Sequence, residues 1–381
     1  FIGLFNADIR EEINISHGEF GSLYGIATLC SSLALVWIGK KIDDIKLIHY
    51  SIFVVLLLCF ASIFFSFIHN IILFFFGIFF LRLSGQGLMA HTASTTISRY
   101  FEKRRGKALS YIWLGMSVGE FLLPVIIIYL ISFIYWRDLW IYISITVLLL
   151  LPFFSYLTIK DINFHSKEKL SIKNLEKKIL AKNWKRSEVL RDFKFYTMLP
   201  NLLVPSFIIT GIVVNQSFII VSKGWSEYSI AKAFMVYSFL TVMTLFISGF
   251  LVDKFSSKKI MPFLNIPLLF GLFVLIFVND EFSAFIFMGL LGITNGFTNV
   301  LLSSLWAELY GVKYLGSIKA LTGSLMVFST ALATATFGLF IDLGFSIERI
   351  AFLCSIYTSI SILIVFIFRK SYLPVLLKNK T

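Results

Sequence analysis

The stretch Ile71-Ile-Leu-Phe-Phe-Phe-Gly-Ile-Phe-Phe-Leu-Arg82-Leu-Ser-Gly-Gln-Gly-Leu-Met-Ala-His91 carries one charge and is otherwise apolar, small or neutral. A helix needs about 20 mainly apolar residues to cross the hydrocarbon core of a bilayer, and this run supplies them. Barrel strands would instead alternate apolar and polar residues over about ten positions. The fold class expected is therefore an all-α membrane protein, since helices satisfy their own backbone hydrogen bonds in lipid.

The pattern repeats outward in both directions. Spans are expected at 18–38, 48–68, 71–95, 108–131, 138–158, 195–221, 229–251, 259–278, 282–305, 317–340 and 347–368. The apolar stub Phe1 to Phe5 reads as the end of a further helix whose larger part is missing, which brings the expected total to twelve. Composition agrees: 58% of the residues are apolar, 14% are charged and 43 are Phe, too little polar surface to solvate a globule. Soluble enzyme folds are excluded on that ground, and no enzymatic activity or cofactor is expected. The net charge of +13 sits in short clusters between apolar runs, so it reads as topology rather than as a nucleic-acid surface. Cys30, Cys59 and Cys354 lie far apart inside apolar runs, as small buried hydrophobes, and no metal site is expected.

Of the 34 Lys and Arg residues, 28 fall in connections on one side and five on the other. By the positive-inside rule the rich side is cytoplasmic, so both termini of the intact chain are expected inside, in a bacterial inner membrane. Trp37 and Trp306 on the inner side, and Trp136, Trp140 and Trp225 on the outer, fit interfacial belts. The Lys-rich stretch 159–194 reads as a cytoplasmic linker between 1–158 and 195–381, with room for a short surface helix.

Sliding the chain by 210 residues lays Gly39 on Gly249, Asp43 on Asp253, and Tyr100, Lys103 and Gly106 on Tyr310, Lys313 and Gly316. Two six-helix bundles related by a pseudo-two-fold repeat are therefore expected, the arrangement of transporters that carry substrate between their halves near the midplane.

Gly39-Lys-Lys-Ile-Asp43-Asp-Ile-Lys46 resembles the loop between spans two and three of the major facilitator superfamily, and Gly249-Phe-Leu-Val-Asp253-Lys254 is its weaker echo. Arg82-Leu-Ser-Gly85-Gln86-Gly87 resembles the Arg-plus-Gly motif of span four, and Arg99 to Ala108, with Arg105, the basic loop after it. Asp44 stands where that family has a base, and Glu120 follows Gly115 and Gly119 where its antiporters have Pro, so drug antiport is not inferred. The resemblance implies alternating access, substrate contacts in the first helix as well, and a gating role for Gly39, Asp43, Gly249, Asp253 and Arg105 that holds the inner side shut. A plain charged turn is the alternative reading of the first loop.

Arg82 lies 12 residues past Asn70, hence about 18 Å along its helix and near the bilayer centre. Insertion of Arg there costs about 2.5 to 3.5 kcal/mol, so such residues face the bundle interior and a partner. Glu120, 14 residues past Gly106, comes to similar depth on the next span. Two readings stand: a permanent structural ion pair, or Arg82 meeting an anionic substrate while Glu120 exchanges a proton. At helical spacing Gln86 and Met89 share the Arg82 face, and Trp113 and Ser117 share that of Glu120. His91 falls on the opposite face, where a packing hydrogen bond is expected. Asn215, Gln216, Asn295, Thr298 and Asn299 supply amides and a hydroxyl in the second half, as substrate contacts or as helix glue.

The function expected is proton-coupled transport of a small organic anion by a monomer in the lipid bilayer. An efflux carrier for amphipathic compounds and a non-transporting receptor of the same fold are the alternatives. Substrate identity, direction and coupling ion are not legible.

Overall fold

A computed structural model describes residues 5–15, 17–101, 104–159 and 183–372. Among these residues every regular element is helical. Helix α1 spans Asn6–Ile13, α2 His17–Ile38, α3 Leu47–Ser66 and α4 Ile71–Leu81. A π-helical stretch, Arg82–Met89, joins α4 to α5, Ala90–Tyr100. Then follow α6 Arg105–Ile131, α7 Trp136–Ile159, α8 Phe193–Val214, α9 Gln216–Lys223 and α10 Glu227–Phe255. The chain continues through α11 Ile266–Phe277, α12 Ser283–Tyr310, α13 Leu315–Asp342 and α14 Ile347–Tyr372. Ten helical segments among the described residues are long and apolar enough to cross a membrane.

Polar side chains mark where several of these helices start. Asn70 Oδ1 accepts from Leu73 N at 2.9 Å at the head of α4, and Ser226 Oγ from Ser229 N at 3.1 Å at the head of α10. Each satisfies a backbone donor that the first turn leaves over. Gly224, at φ +65°, ends α9 in the left-handed region that costs a glycine least.

Two expected spans differ in detail. The run 195–221 breaks at Asn215, where α8 stops and α9 begins, because the Asn215 amide turns back to donate to Gly211 O at 2.8 Å. The run 71–95 extends to Tyr100 but opens into the π-helical turn, which includes two glycines and Ser84, whose hydroxyl donates back to Phe80 O at 2.7 Å. Back-bonding of this kind bends helices.

The chain divides into two compact units, one made of 1–100, 115–183 and 313–328, the other of 101–114, 184–312 and 329–381. In the first, Phe20, Phe65, Phe74, Ile78, Trp136 and Trp140 form a buried cluster. The Arg137 guanidinium ties that unit at one end, donating to Glu12 Oε1 at 2.6 Å and to Ser66 O at 2.6 Å. In the second, Ile208, Trp225, Leu268, Leu272, Phe287 and Phe337 are among the core residues. There the buried Asn265 amide donates to Asn201 O at 2.6 Å and to Asn201 Oδ1 at 2.9 Å, an interhelical tie of the kind small amides make in membranes.

The belt reading of the tryptophans needs correction. Trp136, Trp140, Trp225 and Trp306 are buried, and of those five only Trp37 is exposed. Trp140 packs on Phe65 at 4.8 Å between centroids, and Trp225 donates to Asp280 O at 3.2 Å. Their place at helix ends serves packing, and the indole N–H groups of Trp136 and Trp225 find acceptors in Glu12 Oε2 and Asp280 O.

Candidate functional site

The turn after α2 is built around one carboxylate. Gly39–Asp43 winds as a 3-10 helix and directs Asp43 at the first turn of α13, where it accepts from Gly316 N at 2.9 Å and from Ser317 N at 2.7 Å. An acid at a helix N-terminus meets both unsatisfied donors and the positive end of the helix dipole. The Arg99 guanidinium pairs with the same carboxylate and also donates to Ile42 O at 3.3 Å. The Asp43 and Arg99 side chains are 4% and 9% exposed, so the pair is held away from water. His91 Nε2 lies 3.1 Å from Gly39 O, the helix-packing bond expected of it. Only a glycine fits at 316, because a Cβ there would lie 2.6 Å from Asp43 Oδ1 and overlap Ile42.

Within the other unit the same device recurs. Asp253 accepts from Gly106 N at 2.6 Å and from Lys107 N at 3.2 Å, at the first turn of α6. Ser110 Oγ donates to Leu245 O at 2.6 Å and fixes the two helices one turn on. Acid and capped glycine both recur at the 210-residue offset: Asp43 and Asp253, Gly106 and Gly316. Each acid caps the helix that the other repeat contributes. The copies differ in charge, because the position equivalent to Arg99 is Leu309. Its neighbour Glu308 instead binds Ser256 Oγ at 2.5 Å and Ser257 N at 3.1 Å. Arg105, the basic residue of this region, is buried and donates from Nε to Phe101 O at 3.1 Å. Gly249 lies against Gly106 and Ser110, where a Cβ would come 2.9 Å from Gly106 O.

Arg82 opens the π-helical turn, half-buried, with its Cζ 5.3 Å from the Tyr24 ring centroid. Among the described residues no acceptor engages its N–H groups. Tyr24 stacks on Phe20, and Phe20 packs on the buried Phe74 at 5.0 Å. The wider π turn also shifts the register read at 3.6 residues per turn, so Met89 leaves the face assigned to it. Gln86 stands exposed within the same turn.

A family model of the Major Facilitator Superfamily matches residues 1–334. The chain belongs to the major facilitator superfamily. No curated protein matches it by sequence comparison. Membership makes it an integral membrane protein of a transporter family, with a small-molecule substrate and a lipid environment.

The other candidate residues of this superfamily member divide between the units. Ser117, half-buried, lies with Arg82 and Gln86 in the first, and Trp113, half-buried, in the second. Glu120 sits on α6, and its side chain falls outside the described residues, as does the pairing expected with Arg82. In the second unit Asn215 is spent on its own helix end, and Gln216, at the head of α9, is half-buried. Asn295 and Asn299 are half-buried on α12, while Thr298 is buried and bonds Thr294 O at 2.7 Å. Sequence reasoning missed Tyr24, whose signal was an aromatic four residues after Phe20 on a glycine-rich helix. It also missed Arg99 as the partner of Asp43, for which the sequence holds no local signal.

Proposed function

We propose that this superfamily member carries a small organic anion by alternating access, coupled to protons, with Arg82 as the group that receives the anion. The observation that carries the reading is Arg82 itself: a guanidinium deep in a long apolar helix, with an aromatic face against it and no acceptor among the described residues. Such a cation is costly to place and is kept where it serves a ligand or a pathway. In this reading Glu120 exchanges the proton, and Gln86, Trp113, Ser117, Asn215, Gln216, Asn295 and Asn299 supply polar contacts. The halves 1–158 and 195–381, joined by 159–194, move against each other, and the Lys-rich side is cytoplasmic. The Asp43 and Asp253 caps hold that side shut and release their helices when it opens.

The test is uptake of labelled carboxylates into proteoliposomes with and without an inward proton gradient. The reading expects faster uptake with the gradient and loss of that acceleration in Glu120→Gln. Uptake confined to neutral sugars would remove it. Export of amphipathic dyes that depends on Glu120 and ignores Arg82 would replace it with efflux.

A further inference from the structure

We infer that Tyr24 is the positioning residue of the Arg82 site and fits that site to an organic monoanion with an apolar body. The inference rests on Arg82 receiving the anion. A ladder of rings runs from the packed core to the guanidinium: Phe74 is fully buried, Phe20 lies 5.0 Å from it, Tyr24 stacks on Phe20 at 13° between planes, and Arg82 Cζ lies over Tyr24 at 5.3 Å. A cation over an aromatic face is held by the ring quadrupole. A guanidinium held by a ring against one of its faces keeps its edge open, where N–H donors take a carboxylate bidentately and in plane. A ring in that role fixes the fork without competing for its donors.

Charge and space set the ligand class. Arg82 is the single Lys or Arg deep within a span of the sequence, so one anionic group is matched and a second would be carried into low dielectric unpaired. Beside Tyr24 the surface of α2 is made by Gly21 and Gly25, and no atom lies within 4 Å of a Cβ position at either. An apolar body attached to the carboxylate has room there, against Tyr24.

Two readouts on the whole chain test this, with Tyr24→Phe, Tyr24→Leu and Arg82→Gln compared. The first is the rate at which phenylglyoxal labels Arg82, read by mass spectrometry without any anion present. The second is binding of benzoate, acetate, succinate and inorganic phosphate by calorimetry. The expected result is that Tyr24→Leu labels faster and loses about tenfold in benzoate affinity, the size of a desolvated cation–π contact, while Tyr24→Phe keeps both near wild type. Benzoate is expected to bind more tightly than succinate or phosphate. Unchanged labelling and benzoate affinity in Tyr24→Leu, with binding lost in Arg82→Gln, would overturn the role of Tyr24 and leave that of Arg82. Succinate or phosphate bound as tightly as benzoate would overturn the monoanion class. Benzoate bound equally by Arg82→Gln, or no anion bound by the wild type, would overturn the anion site itself.

Discussion

The Asp43 carboxylate receives the Gly316 N–H at 2.9 Å across 273 residues of sequence, and at the repeat-equivalent positions, 210 residues later for the acid and 210 earlier for the glycine, Asp253 receives the Gly106 N–H. The relation is reciprocal in the repeat and unequal in charge, since Arg99 faces Asp43 and Leu309 takes its place in the second copy.

That inequality predicts unequal losses. Asp43→Asn keeps the shape but leaves the Arg99 guanidinium buried without its carboxylate, a loss of about 3 to 5 kcal/mol for a broken buried pair. Asp253→Asn keeps an amide acceptor and loses only the charge facing the helix N-terminus, expected to cost about 0.3 to 2 kcal/mol. Thermal unfolding in detergent compares them, and equal shifts would contradict the difference drawn between the two copies.

Gly316→Ala and Gly106→Ala push a methyl group into Asp43 and Ile42 or into the Gly249 carbonyl. Overpacking of this kind costs about 1 to 3 kcal/mol. Gly25→Ala, on an open surface, is expected to leave stability unchanged or slightly raised. The melting temperatures of the three variants check this, and a Gly316→Ala protein as stable as Gly25→Ala would refute it.

The Lys223 ammonium is fully buried, 2.9 Å from Glu348 Oε1 and 2.7 Å from Asn279 Oδ1, whereas the Glu348 side chain is 37% exposed. Removing the exposed partner strands the buried charge, so Glu348→Gln is expected to cost more than Lys223→Met, which puts an apolar side chain of similar volume into the core. The double variant is expected to recover most of the Glu348→Gln loss. A larger loss for Lys223→Met would show that the ammonium is not held dry.

Burial opposes ionisation of Glu12, yet donors on Arg137, Tyr135 and Trp136 outweigh it and hold the carboxyl below the usual carboxylate range. A depressed folded value gives stability that is present above the unfolded value of about 4.3 and is lost as pH falls through the folded one. Melting temperature measured from pH 6 down to about 3 is expected to fall less steeply in Glu12→Gln than in wild type. Parallel curves would place the acid sensitivity elsewhere.

The helical class and the membrane-crossing helices were legible because long apolar runs are local signals, and so were Asp43 and Asp253, whose loops are short sequence motifs. Burial of Trp136 and Trp140 was not, since lipid and protein interior are equally apolar and hydropathy does not separate them. The π turn at Arg82 escaped for a related reason: Gly85 and Gly87 permit it, but hydrogen-bond register is settled by packing against α2. The Asp43–Arg99 pair joins residues 56 apart, beyond any helical spacing. Arg82 itself stood out in sequence because a charge in an apolar run has few bland explanations, while the Tyr24 contact depended on which helix came beside it.

Solute counterflow tests the role of Arg82 most directly, since it needs neither a gradient nor a known direction. Proteoliposomes loaded with unlabelled benzoate are diluted into a trace of labelled benzoate, with wild type, Arg82→Lys and Arg82→Gln compared. Transient accumulation by wild type, weakened in Arg82→Lys and absent in Arg82→Gln, is the predicted result. Counterflow by Arg82→Gln at the wild-type rate would contradict it.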